Sequence, residues 1–183
     1  LKDYKRALTI GCLYQNPLRG TAPNLTIEEN LALAYTRKAS PSFFALNKKD
    51  SAYFREVLST LGMGLEDRMK TKIGLLSGGQ RQAASLLMAT IAEPELLLLD
   101  EHTAALDPGA AEKVMALTKK IVEENKITTL MITHDMEYAL EYGSRTIMLD
   151  SGKIVMDLTG KEREEMTTGK LAELFYGKAH KKG

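Results

Sequence analysis

The chain has few of the features that mark secreted proteins or cysteine-based metal sites. It has one cysteine, Cys12, and no tryptophan among its 183 residues. A single cysteine excludes a disulfide within the chain and a metal site built from several cysteines, and this favours a reducing compartment. No internal repeat or low-complexity segment is present. We therefore expect a cytosolic globular domain.

Charge gives no sign of a nucleic-acid or lipid partner. Twenty-five Lys and Arg residues balance 24 Asp and Glu residues, which leaves a formal net charge of +1. This balance produces no strong field, so we expect no nucleic-acid partner. The longest run without a charged residue, Ala7–Leu18, is shorter than the roughly 20 apolar residues of a membrane-spanning helix. Any role at a membrane is therefore expected to use a partner chain.

The first half of the chain is predicted to hold one strand followed by helices and loops. Ala7–Tyr14 is short and apolar, so we expect a buried strand that enters a loop. Thr26, followed three residues later by Glu29, predicts a capped helix of about ten residues. Ser40-Pro41 is expected to end this helix, and helical spacing resumes over 50–61.

Apolar segments alternate with amphipathic ones in the second half, which is typical of a parallel α/β sheet. The predicted strands are 96–100, 128–134 and 145–150, separated by helices over about 108–124 and 136–142. Ser151-Gly152 predicts a hairpin that adds 153–158 antiparallel at the sheet edge. A last amphipathic helix is predicted over 167–176.

A glycine pair precedes a helix predicted over 81–91. Ser77, Gly78 and Gly79 place a hydroxyl and backbone N–H groups at the positive end of that helix, an arrangement that suits a phosphate. A serine N-cap followed by a flexible turn also explains these residues. The motif alone leaves both interpretations open.

Two carboxylates follow four leucines at the predicted strand 96–100. Consecutive leucines predict a central strand buried on both faces, and Asp100 and Glu101 come at its carboxyl end, where α/β sheets bind ligands. One carboxylate can hold Mg²⁺ through water, and the other can orient or deprotonate a water molecule. The alternative is that Asp100 only caps the following turn.

Gln15 and His134 stand at the ends of two other predicted strands. The amide of Gln15 could reach a metal ion or a water molecule, whereas His134 closes the strand predicted over 128–134. Taken alone, Gln15 is also explained as a turn residue and His134 as a structural histidine. Their assignment depends on the other motifs.

The order of these motifs resembles the ATP-binding subunit of ABC transporters over nearly the whole chain. Gln15 matches the glutamine loop, Ser77–Gln80 the signature motif, Asp100–Glu101 the Walker B pair, Ala105–Asp107 the D-loop and His134 the switch histidine. The resemblance implies an α/β fold, namely a partial P-loop NTPase (RecA-like) core with a parallel sheet plus an α-helical subdomain of the ABC type.

The resemblance also implies a division of the chain. Residues 1–16 would form a core strand and the glutamine loop, and 17–92 the mainly helical subdomain with the signature motif. Residues 93–160 would form the α/β core with Walker B, the D-loop and the switch histidine, and 161–183 a C-terminal helix and tail.

The Walker A motif, which cradles phosphate, has no match in the printed sequence. It ends in Gly-Lys-Ser or Gly-Lys-Thr, and none of the four Gly-Lys pairs is followed by either residue. In the family this motif precedes the glutamine loop, and only 14 residues precede Gln15. We expect a C-terminal fragment that is inactive alone. A degenerate cassette and an inert binding module remain as alternatives.

In the family, two such subunits enclose two ATP molecules. The resemblance implies catalytic roles for Glu101, His134 and Gln15, with Mg²⁺ held by Asp100 and Gln15. The residues implied to contact ATP are Ser77, Gly78, Gly79, Gln80 and Asp107.

The implied partners are a second ATP-binding subunit, transmembrane permease subunits and, for an importer, a solute-binding protein. The subunit would lie on the cytoplasmic face of the membrane and couple ATP hydrolysis to solute transport, with bacterial uptake suggested by the segment DEHTAALDP. In that segment His102 stands where the family commonly has proline. It could be a structural turn residue, or it could contact a phosphate or the second subunit. The alternative of a soluble ABC ATPase of DNA repair or translation fits less well, because the interval from Gln15 to Ser77 leaves no room for a long coiled-coil insertion.

Overall fold

The computed structural model describes residues 2–37 and 48–179. Its helices are α1 (Asp3–Arg6), α2 (Ile27–Tyr35), α3 (Lys48–Ser59), α4 (Gly78–Thr90), α5 (Pro108–Asn125), α6 (Met136–Glu141), α7 (Gly160–Glu164) and α8 (Thr168–Ala179). Its strands are β1 (Ile10–Leu13), β2 (Leu96–Asp100), β3 (Thr128–Ile132), β4 (Arg145–Asp150) and β5 (Lys153–Thr159). The predicted break at Ser40-Pro41 lies outside the described residues. The chain forms two compact units, Leu1–Ile132 and Thr133–Gly183.

The first unit contains a three-stranded parallel sheet in the order β1-β2-β3. Helix α4 leads into β2 and α5 connects β2 to β3, and residues of both helices pack on one face of the sheet, as expected for right-handed crossovers. That face carries Leu13, Leu97 and Leu99, which are buried against residues of α4 and α5. On the strand farthest from β1, Leu130 and Ile132 are 53% and 54% exposed.

Two sequence expectations about these strands were wrong in detail. The strand predicted over 7–14 begins only at Ile10, because Thr9 N donates to the Arg6 carbonyl (3.1 Å) in a turn that follows α1. The leucines of β2 are not buried on both faces: Leu97 and Leu99 are buried, while Leu96 and Leu98 are partly exposed. The predicted central position of β2 is confirmed.

The segment between β1 and β2 is mainly helical and forms a hydrophobic core of its own. The core includes Ile27, Leu31, Phe54, Leu58, Leu65, Ile73, Ala84 and Leu87. The predicted cap of α2 is confirmed: Thr26 Oγ1 accepts from Glu29 N (3.2 Å), and Glu29 Oε2 accepts from Thr26 N (2.7 Å). This capping box fixes the first turn of α2, so that its apolar residues face the core.

A buried carboxylate links three segments of this helical part. Glu28, on α2, is 1% exposed and accepts hydrogen bonds from Ser51 Oγ on α3 and from Lys70 Nζ in the loop before α4. Burial alone would raise the pKa of Glu28, but the hydrogen bonds from Lys70 and Ser51 outweigh it and lower that pKa below its ordinary value. Glu28 is therefore ionised near neutral pH.

The second unit contains the hairpin of β4 and β5. Their turn is Ser151 and Gly152, with φ of +49° and +75°, the left-handed pair expected of a tight two-residue hairpin. The prediction that β4 joins the parallel sheet was wrong, because β4 pairs only with β5 among the described residues. Its burial alternates, with Thr146 and Met148 inside, a one-sided pattern typical of antiparallel strands.

Candidate nucleotide-binding and hydrolysis site

The carboxyl edge of the sheet brings together the predicted glutamine and the predicted acidic pair. The parallel register pairs Leu13 with Leu99, so the segments that leave β1 and β2 emerge side by side. Gln15 Nε2 donates to Glu101 Oε2 across this edge (3.2 Å), although the two residues lie 86 positions apart in sequence. The fold therefore brings these two motif residues into direct contact.

Asp100 is the last residue of β2, and its side chain is exposed at the same edge. Within the described ranges, no group of three or more His, Cys, Asp and Glu side chains could hold a metal ion by itself. Carboxylate and amide oxygens suit Mg²⁺, which usually keeps several waters and takes further ligands from substrate phosphates. With Nε2 of Gln15 directed to Glu101, its Oε1 and the Asp100 carboxylate are oxygen atoms that could serve as donors to such an ion.

Ser77 caps α4, which begins at Gly78 rather than at the predicted residue 81. Ser77 Oγ accepts from Gln80 N (3.3 Å), and Gln80 Oε1 accepts from Ser77 N (3.3 Å). The motif is thus a second capping box, which the pattern Ser-x-x-Gln could have predicted in the same way as Thr26 and Glu29. A serine cap and an anion site are compatible, because the N–H groups of the first turn still lack partners within the helix.

Gly79 has a packing role that the sequence did not reveal. A Cβ on Gly79 would lie 3.0 Å from Ala110 Cβ at the start of α5, closer than side chains normally approach. The glycine therefore lets the first turn of α4 pack against α5. Asp107 caps α5, and its Oδ1 accepts from Ala110 N (3.0 Å). The signature segment and the D-loop segment thus adjoin.

His134 lies beyond β3, not at its end as predicted, because β3 stops at Ile132. The chain turns at Thr133, whose Oγ1 accepts from Asp135 N (3.0 Å). Asp135 then caps α6 by accepting from Glu137 N (2.8 Å). His134 is exposed in the second unit, whereas Gln15, Asp100 and Glu101 belong to the first.

Two buried residues flank these motifs: Gln82, which the sequence did not single out, and His102, for which the sequence left a turn residue and a phosphate or cross-subunit contact as interpretations. Gln82, on α4, is 1% exposed and donates from Nε2 to the Tyr14 carbonyl (3.3 Å), which joins the signature helix to the segment that carries Gln15. His102, beside Glu101, is 2% exposed, and its Nε2 lies 3.3 Å from Thr118 Oγ1 on α5. Burial lowers the pKa of His102 to about 4, so its ring is neutral at pH 7.

The geometry therefore defines a parallel α/β sheet with an amide and two carboxylates at its carboxyl edge, beside a glycine-rich helix start. A family model described as "ABC transporter" matches residues 3–104. The chain is 42% identical over 175 residues to a tyrosine transport ATP-binding protein of Clostridioides difficile, covering 96% of this chain and 70% of that protein. It is 34% identical over 151 residues to a phosphonates import ATP-binding protein of Oceanobacillus iheyensis, covering 81% of this chain and 58% of that protein.

Solved structures agree with this assignment. A dimeric ATP-binding cassette in a post-hydrolysis state, bound to ADP and Pi, superposes with a TM-score of 0.70 at 30% identity, covering 87% of this chain and 68% of the other. The class of protein is thus an ABC-type ATPase domain. The chain belongs to the ABC transporter family. It spans 70% of the length of the tyrosine transport ATP-binding protein.

Proposed function

We propose that this chain is the hydrolytic part of a transporter's ATP-binding subunit and that it acts in bacterial solute uptake. The Gln15–Glu101 hydrogen bond carries the proposal most directly, because it brings two motifs distant in sequence together at the edge where α/β proteins bind ligands. The names of the tyrosine and phosphonate relatives support uptake of a small polar solute.

Glu101 is proposed to orient and deprotonate the attacking water. Its carboxylate stands one residue beyond β2 and accepts from Gln15, so the amide fixes the direction of one carboxylate oxygen. Phosphoryl transfer depends chiefly on positioning and charge stabilisation, and both are provided by groups fixed at a strand end. His134 is proposed as the switch residue from its place in the motif order.

Asp100 and Gln15 are proposed to hold Mg²⁺, with Asp100 acting through water. When bound, the ion would neutralise charge on the β- and γ-phosphates. The predicted ATP contacts, Ser77 to Gln80 and Asp107, are proposed to serve nucleotide held mainly by a second subunit. The N–H groups of the first turn of α4 and the positive end of its dipole would then face a phosphate across the interface.

The proposed partners are a second copy, permease subunits in the membrane and a solute-binding protein. The relatives that support import are described as transport or import ATP-binding proteins. Within the described residues no helix has the length and apolarity needed to cross a bilayer. Permease subunits would supply the membrane path, with the helical region, about 17–88, as their proposed docking region. That the 183 residues are inactive alone stays a prediction.

Glu101→Gln in the whole natural protein tests the proposal. Because an amide keeps the shape of the carboxylate but cannot accept the proton, hydrolysis should fall about 100-fold or more. ATP binding should remain, and the ATP-bound dimer should accumulate in size-exclusion chromatography. Glu95→Gln, which changes an exposed acid at the opposite end of β2, is the matched control. Turnover near the parental rate in the Glu101 variant would overturn the assignment.

A further inference from the structure

Glu101 has a backbone conformation that its side chain disfavours. Its φ of +44° lies in the left-handed region, which L side chains rarely enter. Such conformations persist only where surrounding contacts fix them, and they concentrate at functional sites. The contacts that fix Glu101 therefore decide where its carboxylate points.

Backbone hydrogen bonds hold Glu101 from two sides. Its N–H donates to the Ile132 carbonyl (3.0 Å) on the neighbouring strand, and its own carbonyl accepts from Ala104 N (3.0 Å). The second bond closes a turn that contains His102. The geometry of Glu101 thus depends on how this turn is held against the rest of the unit.

The side chain of His102 anchors the turn to α5. Thr118 Oγ1 donates its single hydrogen to the Val114 carbonyl (2.8 Å), so it can only accept from His102 Nε2. In this hydrogen bond His102 Nε2 is therefore the donor and Thr118 Oγ1 the acceptor. Both residues are buried, His102 at 2% and Thr118 at 5% exposure, so water does not compete readily for this bond.

A second anchor lies at the other end of the same segment, where Asp107 caps α5 through Ala110 N. The segment 101–107 is therefore fastened to one helix at both ends, by the cap at Asp107 and by His102 on Thr118. We propose that His102 is a positioning residue that holds Glu101 in its left-handed conformation through the hydrogen bond to Thr118. The catalytic part of this inference rests on the proposed role of Glu101 in ATP hydrolysis.

A matched set of variants isolates the hydrogen bond. His102→Gln places an amide N–H near the position of Nε2, whereas the shorter His102→Asn cannot reach Thr118. Thr118→Val removes the acceptor at nearly constant volume. Thr90→Val is the control, because Thr90 is likewise buried on a helix, and its hydroxyl donates to the Leu86 carbonyl four residues earlier in that helix (2.9 Å).

In the whole natural protein, His102→Asn and Thr118→Val should each lower kcat for ATP hydrolysis by about tenfold. KM for ATP should stay within about twofold, because the residues proposed to contact ATP, Ser77 to Gln80 and Asp107, lie outside the turn 101–104. His102→Gln should retain most of the activity, and Thr90→Val should match the parent. The double variant, His102→Asn with Thr118→Val, should lose no more activity than either single one, because both remove the same bond.

A second measurement needs no nucleotide. Amide hydrogen exchange at Ala104, whose N–H bonds Glu101, should accelerate in His102→Asn and Thr118→Val but not in His102→Gln or Thr90→Val. Equal effects of Thr118→Val and Thr90→Val on kcat and exchange would overturn the inference, as would additive losses in the double variant. If the parent hydrolysed no ATP, the proposed function would fail, and exchange at Ala104 would still decide whether His102 holds the turn.

Discussion

The starts of α2 and α4 have the same hydrogen-bond pattern and opposite electrostatics. Each is a capping box, closed by Glu29 in α2 and by Gln80 in α4. The first turn of α2 carries two acids, while that of α4 carries none and has two glycines. Arg68 Nη1 also approaches Gln80 Oε1 (3.5 Å), which adds positive charge beside α4.

The difference shows how one local motif serves two purposes. Carboxylates in the first turn of α2 neutralise the positive end of its dipole from within the chain. The start of α4 is capped but keeps that positive end, so an external anion can complete it. Capping alone therefore does not identify a binding site, whereas the lack of first-turn acids leaves the positive end of the α4 dipole available to an anion.

Ser77→Arg is expected to have the largest effect on this contrast. A bulky cation at the α4 cap would fill the space proposed for the partner-held phosphate, so ATP-dependent dimerisation and hydrolysis should fall about 100-fold. Light scattering with Mg-ATP and a phosphate-release assay measure both. Ser59→Arg, which adds the same charge at the exposed last residue of α3, should leave them unchanged. Normal ATP-dependent dimerisation of the Ser77 variant would show that the start of α4 is not part of the nucleotide site.

Glu28→Gln tests the other side of the comparison, where acids serve stability. Removing the charge that Lys70 and Ser51 contact should lower the free energy of unfolding by about 1.5 kcal/mol at pH 7. Because the folded pKa of Glu28 lies below its ordinary 4.5, its contribution is present above pH 4.5 and disappears as the pH falls through the folded pKa. Urea denaturation of parent and variant at pH 7, 5 and 3.5 checks this, and a pH-independent difference would contradict it.

Exchange of the residues that close the two capping boxes, Gln80 in α4 and Glu29 in α2, is expected to have the smallest effects on stability and assembly. Gln80→Glu adds a first-turn acid to α4, so it should raise stability by about 0.5 kcal/mol and still weaken ATP-driven assembly through repulsion of phosphate. Glu29→Gln should lower the urea midpoint and leave the ATP dependence of hydrolysis unchanged. The comparison fails if both variants alter ATP dependence equally.

Local patterns were predictable where sequence neighbours determine the structure. Thr26 and Glu29 set the start of α2 because both partners of the cap are three residues apart. Four leucines set β2, and Pro108 after Asp107 set the start of α5. The motif order predicted the fold class and singled out Gln15 and Glu101, whereas their direct contact was found only in the structure.

Contacts between distant segments were not predictable in this way. The alternation of strands with helices in the second half predicted β4 as another parallel strand, but its partner is the next strand along the chain. Glu28 is hydrogen-bonded to Ser51 and Lys70, and His102 lies within hydrogen-bond distance of Thr118. No local sequence pattern indicates these pairs. Helix α4 begins at Gly78 rather than at the predicted residue 81. Glycines are poor helix formers, but Ser77 and Gln80 form a capping box that starts the helix at the first of them.

The position of β1 has a consequence for the order of folding. Strands β2 and β3 are joined by a single helix, whereas β1 pairs with β2 only after the whole helical part has been spanned. Closing so long a loop costs entropy before any contact repays it, so we expect β1 to join the sheet late. Gln15 reaches Glu101 only when β1 is in register. We therefore expect the proposed hydrolytic arrangement to be one of the last parts of the first unit to assemble, so that an incompletely folded chain would not yet hold it.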